Sequence, residues 1–337
     1  MSSAYLSWLI APMMFLALAA GGGRAPASPS HGMLVVANQG DHTALLIDPQ
    51  SRQTLMKVTV GINGHEVAVS PDSHFAYVPI YGNSGVGKPG TDGRAIDIID
   101  LRERKLVGTI ELGKPLRPHR AEFGPDGLLY VSAELDDALD VIDPSTRKVL
   151  AEIPTGTSES HMFVISPDGR RAYTANVGPG SVSVLDLKKR SLVTVIPVAK
   201  TVQRISITPD GKWVFTHDQD TPRIAVIDTA TDKIDHWISL PATVYSSSPT
   251  PDGRKLLAAS PSGKLFVIDL ATSKLAESFD IPAASGEVLI EPGGKFAFIS
   301  CPQTGVIAVF DIRDDKVLQP IQLTRGVDGL AWAPAIS

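Results

Sequence analysis

A short turn signal returns along the chain at nearly constant spacing: SPDS from residue 70, GPDG from 124, SPDG from 166, TPDG from 208, TPDG from 250, EPGG from 291 and APAI from 333. Successive starts lie 54, 42, 42, 42, 41 and 42 residues apart, so the period is near 42 with one insertion of about twelve residues. Only a chain built from copies of one unit keeps such a rhythm. The unit is clearest in SHMFVISPDGRRAYTANVGPGSVSVLDLKKRSLVTVIPV, where four short alternating apolar segments are separated by Pro-Asp-Gly, Gly-rich and basic turns. Four strands per repeat of this length make a propeller blade. The chain supplies three strands from Met33 onward without a first, and a first strand at GLAWAP without the other three. The two ends are therefore expected to share a blade, giving an all-β, seven-bladed β-propeller over residues 31–337 with no open sheet edge.

Composition agrees with that architecture and narrows the partners. Hydrophobic residues make up 43% and charged residues 20%, enough apolar material for a core. The net charge of −5 and the lack of an extended lysine and arginine tract argue against nucleic acid. Residues 1–20 carry an apolar stretch from Tyr5 and a small-residue pattern near Ala17 and Ala19, followed by a Gly/Pro/Ser linker over 21–30. This layout predicts a signal peptide and a periplasmic or secreted product. No later stretch reaches the apolar length of a membrane span. The one cysteine, Cys301, leaves no intrachain disulfide to form. A closed ring has no obligatory interface, and a monomer is expected.

The segments YVPI, YVSA and YTAN, each followed by IDIID, LDVID or VSVLD, resemble the YVTN-repeat β-propellers, which are in turn similar to lactonase-type propellers. The resemblance covers the whole repeat region. It implies the propeller fold, with the first strand of each blade innermost and its start at the mouth of a central tunnel. It says little about function, because the repeat motif serves the blade.

Repetition supplies an internal control. Asp48, Asp100, Asp143, Asp186, Asp228, Asp269 and Asp311 close the third strand in all seven units, so their role is to accept backbone hydrogen bonds in the following turn. The position five residues before each turn behaves differently, reading His65, His119, His161, Gln203, Tyr245, Gly286 and Asp328. Three adjacent units carry histidine there and four do not. A shared register points the three imidazoles to one side of the funnel, where His65, His119 and His161 are candidate ligands of a transition metal, with zinc, copper and iron undistinguished.

A metal-bound water there would attack a lactone or ester, whereas a redox metal would favour oxidoreductase or lyase chemistry. Glu66 and Glu134 are the candidate general bases or hydrogen-bond acceptors behind the histidines. Arg120, Arg204, Tyr81, Asn176, His217, Tyr245, Cys301 and Asp328 are candidate contacts for a small-molecule ligand. Two readings without a metal stand beside this one: the histidines with Arg120 and Arg204 form a cationic lip for an anion, or they simply line a wet tunnel. A propeller that binds a ligand or a protein without catalysis is the alternative function.

The insertion YGNSGVGKPGTDGR, residues 81–94, matches two nucleotide motifs by accident. Pro89 stands where a phosphate-binding loop needs Ser or Thr, and no helix follows. A loop over the tunnel mouth is the expectation.

Overall fold

The structure, a computed structural model, describes residues 31–283 and 286–335. The expected signal peptide and linker lie outside the described residues. Seven four-stranded antiparallel sheets form the ring. Blade 1 consists of Ala68–Val69, Phe75–Gly82, Asp92–Asp100 and Lys105–Glu111, blade 2 of Pro118–Phe123, Leu129–Ala133, Ala138–Asp143 and Lys148–Pro154, and blade 3 of Ser160–Ile165, Arg171–Asn176, Ser181–Asp186 and Ser191–Pro197. Blades 4, 5 and 6 open with Ile205–Ile207, Ser246–Pro249 and Val288–Ile290. The closing blade joins the C-terminal strand Val327–Ala333 to Met33–Asn38, Thr43–Asp48 and Gln53–Thr59, with Leu34 opposite Trp332 and Val36 opposite Leu330. The ends of the chain thus lock the ring by hydrogen bonds.

Both faces of every blade pack on a neighbour, so the middle strands carry apolar runs rather than half-polar alternation. Met33–Asn38 is buried at all six positions, with Met33 and Val35 packed toward blade 1 and Leu34 and Val36 toward blade 6. The outermost strands alternate instead, as in Gln53–Thr59, where one face meets solvent. Among the described residues seven apolar clusters result, one at each junction between blades. The strand-end aspartates do what their recurrence implies. Asp100 accepts from the Arg102 and Glu103 amides, Asp228 from Ala230 and Asp311 from Arg313, in turns that finish on a residue with positive φ such as Arg104, Asp232 or Asp315.

No helix among the described residues is long and apolar enough to cross a membrane. The one helical element among them is a single 3-10 turn, Glu134–Asp136, on the face where the histidines gather.

Candidate functional site

The three histidines reach their positions by one local device. Asn63, Arg117 and Glu159, each two residues before a histidine, all have positive φ, at 57°, 49° and 56°. In blades 2 and 3 the first strand then bulges over the histidine, between Pro118 and Ala121 and between Ser160 and Met162. A left-handed residue followed by a bulge re-aims a side chain that would otherwise point along the sheet. In blade 1 the strand proper starts only at Ala68, and His65 sits in the segment leading to it.

The rings meet. Nε2 of His65 and Nε2 of His119 are 2.7 Å apart, and the His119 and His161 ring centroids are 3.6 Å apart. Tyr81 stands edge-on to all three, with centroid distances of 5.4, 5.5 and 6.4 Å. Its hydroxyl donates to both oxygens of Glu134, at 3.0 and 2.8 Å, and the same carboxylate accepts from Nδ1 of His161 at 3.1 Å and from Arg117 at 3.3 Å. Burial works to raise the pKa of Glu134, but the bonds from His161, Tyr81 and Arg117 outweigh it and hold the group below the usual carboxylate range. Arg117 also donates to Asp92 and to the carbonyls of Gly85 and Lys88, which ties the insertion loop to this network. A cleft of about 460 Å3 opens beside it, lined by Lys88, Arg117, Glu134, Leu135 and Glu159.

The hydrogen bonds fix the tautomers. Nδ1 of His65 lies 3.0 Å from the Asn63 carbonyl, which can only accept, so His65 is protonated there and its Nε2 carries a lone pair. The short contact to His119 must then be donated by Nε2–H of His119. The remaining nitrogen of His119, Nδ1, is a buried acceptor with no hydrogen-bond partner among the described residues. Both imidazoles are neutral: burial pushes His65 down to about 4 and His119 well below its ordinary value. His161, with Nδ1–H held by Glu134, presents a lone pair at Nε2, near the amide nitrogen of Gln203 at 3.3 Å.

This arrangement bears on a metal. Two imidazole ligands on one tetrahedral ion sit about 3.3 Å apart, wider than the 2.7 Å between the His65 and His119 nitrogens. Among the described residues no set of three or more His, Cys, Asp or Glu is arranged to hold a metal ion. Of the three histidines, His161 is the one backed by a carboxylate, through its bond to Glu134.

One residue deeper in the tunnel lies a second polar cluster. Arg204 donates to Glu66 at 3.1 Å and to Asp328 at 3.0 Å, and Arg120 donates to Glu287 at 2.8 Å and to Glu66 at 3.3 Å. Glu66 therefore bridges the two arginines, and each guanidinium is paired with carboxylates on one side. Burial would raise the pKa of Glu66, but Arg204 and Arg120 overcome it and lower it. Tyr245 lies under the Arg204 guanidinium, 5.2 Å from its ring centroid. Gly329 lets blades meet here: a Cβ on it would stand 2.6 Å from the Glu66 Cα.

Three further candidates lie apart from the histidines. Asn176 is fully buried in blade 3, bonded to Ser160, Ser181 and Ser183. His217 is buried against the Ser247 hydroxyl, with its pKa pushed down to about 3 by burial. Cys301 is inside the junction of blades 5 and 6, and burial raises its thiol to about 11. Sequence spacing does not single out Asn63, Arg117, Asp92 or Glu287, and it places Gln203 in the histidine register only as a residue that is not histidine. A signal for Glu287 exists: the position after the histidine register reads Glu66, Arg120, Met162, Arg204, Ser246, Glu287 and Gly329, a ring rich in charge.

The fold and this face define a seven-bladed β-propeller with a buried cluster of polar and ionisable side chains at one tunnel mouth. No protein-family model matches the chain. A segment of 78 residues is 38% identical to dihydro-heme d1 dehydrogenase of Pseudomonas aeruginosa, spanning 23% of this chain and 16% of that protein. Among solved structures, hydrazine synthase of Kuenenia stuttgartiensis aligns with a TM-score of 0.69 at 19% identity, covering 90% of this chain and 98% of that one. The dihydro-heme d1 dehydrogenase NirN in complex with DHE aligns with a TM-score of 0.67 at 16% identity, over 93% and 78% of the two chains. These likenesses show the propeller fold.

Proposed function

We propose that this chain is an exported propeller of the YVTN-repeat kind whose histidine face holds a metal-carrying small molecule of heme type and supports redox chemistry on it. The observation that carries the reading is the Glu134–His161 couple: a carboxylate fixes Nδ1–H, and the Nε2 lone pair, which now accepts from the Gln203 amide, is the donor an iron centre would take once Gln203 gives way. The names of the similar proteins, a dihydro-heme d1 dehydrogenase among them, support a ligand of that class. His161 would hold the metal, with the His119 ring tilted 35° beside it and His65 at the partly exposed edge. The group itself would supply electron transfer. Around it, Tyr81 and Glu134 hold a proton next to His161, and Arg117 keeps the insertion loop against the cleft.

Hydrolysis of a lactone or ester is less well supported. Glu66 is held by two guanidiniums and Glu134 by three donors, so neither carboxylate is free to take a proton from water. The test is a spectrophotometric titration with hemin. Stoichiometric binding with a shifted Soret band is expected, weakened at least about tenfold, the measure of one lost ligand bond, in His161→Ala with the fold retained by circular dichroism. A flat titration, or unchanged binding in His161→Ala, overturns the reading.

A further inference from the structure

Below the ion pairs, the centre of the tunnel contains a cavity of about 30 Å3, lined by Arg120, Met162, Arg204, Ser246, Ser247 and Glu287 among others. That volume holds one small species. What distinguishes it is an imbalance of donors over acceptors. All six oxygens of the three nearby carboxylates already accept: Glu66 from Arg204 and Arg120, Glu287 from Arg120 and the Leu330 amide, Asp328 from Arg204 and Gln39. Arg204, only 5% exposed, still has Nε and Nη1 without a partner among the described residues, and so has Arg120 at Nε. Ser246 accepts the Val288 amide at 2.9 Å through Oγ, which leaves its hydroxyl proton to donate elsewhere. Unpaired buried donors cost about 1–3 kcal/mol each, and an occupant that only accepts relieves several at once.

We propose that this cavity is a site for a monatomic anion of halide size, held by Arg204, Arg120 and Ser246. With every carboxylate ionised the two guanidiniums face one negative charge too many, from Glu66, Glu287 and Asp328, so an anion enters only as a carboxyl takes up a proton; Glu122, Tyr245, His217, His119 and His65 are the other titratable groups around the arginines. Burial is the first cause raising the pKa of both Glu287 and Asp328, so the cluster takes up protons as the pH falls, and each proton makes room for a negative charge. Anion binding is therefore linked to proton uptake and strengthens toward lower pH. The cavity lining includes none of the three histidines, although Arg204, Arg120 and Glu66 interact with them through space.

The direct test is anomalous diffraction from wild-type crystals grown or soaked in sodium bromide. A bromide peak in the tunnel within contact of Arg204 and Ser246 is the expected result. A cavity filled by water alone in those crystals overturns the proposal. In solution, chloride is expected to raise the melting temperature by roughly 2–4 °C over gluconate at matched ionic strength near pH 6.5 and by less near pH 9. Equal melting in the two salts at both pH values counts against the site. In Arg204→Lys, which keeps the charge but loses the fork of donors, the bromide peak and the chloride effect should both vanish while the blades remain folded. Persistence of either assigns the anion to another place and sinks this one.

Discussion

Arg120, Arg204, Glu66 and Glu287 sit one residue after the histidine register, with Asp328 joining them from the register itself, yet the trio and the cluster are left wanting opposite things. The trio ends in an unpartnered acceptor, Nδ1 of His119, and has a second lone pair at Nε2 of His161 that meets the Gln203 amide at 3.3 Å. The deeper cluster has every carboxylate oxygen engaged and ends in unpartnered guanidinium donors. The first is built for a Lewis acid or a hydrogen-bond donor, the second for an anion. Two sites of opposite polarity can share a tunnel because side chains at adjacent positions on a strand leave it in different directions.

The contrast breaks most visibly at Arg204. Replacing it by Ala strands Glu66 and Asp328 as buried carboxylates, and a loss of about 3–5 kcal/mol in urea unfolding is expected. If Arg204→Ala melts like wild type, the cluster is not the structural element described. Next in size is Arg117→Ala, which unties the insertion loop and removes one donor from Glu134. About 1–3 kcal/mol should be lost, with faster proteolysis within residues 83–91, and an unchanged cleavage rate would mean that other contacts hold the loop.

A pH titration of stability sharpens the comparison. His65 is neutral in the fold down to about 4, whereas in the unfolded chain it protonates near 6.5. Below 6.5 the unfolded state binds more protons, so this group's contribution is complete above that value and is lost as the pH falls toward 4. Glu122, which burial pushes up to about 7, acts in the opposite sense and costs stability as the pH rises from its ordinary 4.5 toward 7. Chemical denaturation across this range in wild type and His65→Gln should show the acid-side slope reduced in the variant. An identical slope would remove His65 from the account. The smallest effect is expected at Cys301, which should resist thiol reagents in the folded protein and react at once in denaturant, since it is buried with its thiol at about 11. Ready labelling of the native chain would show that the junction of blades 5 and 6 opens.

The repeat itself was open to reading because it is a local pattern written seven times. Turn chemistry, strand alternation and the recurring Asp at the end of the third strand each act within a few residues, and the blade and its closure follow from them. The same control picked out His65, His119 and His161, since a residue present in three blades of seven is not serving the blade. A loop that opens toward one face does not tell which way its side chains turn: Asn176 is bonded to serines within blade 3, His217 to Ser247, and Cys301 is buried between blades 5 and 6. Arg117 and Asn63 escaped for a different reason: their part depends on a left-handed backbone two residues before each histidine, which non-glycine residues adopt only when surrounding packing holds them there.

The amino-acid sequence by itself determined the propeller, the number of blades and the face on which chemistry gathers, because periodicity and turn residues are short-range properties of the chain. Only the tertiary structure decided that one proton bridges His65 and His119, that Glu134 backs His161, and that Arg120 and Arg204 spend their charge on carboxylates from blades 1 and 6 and the closing blade. Those outcomes depend on distances between residues as far apart as Arg120 and Glu287, which the closure of the ring brings to 2.8 Å.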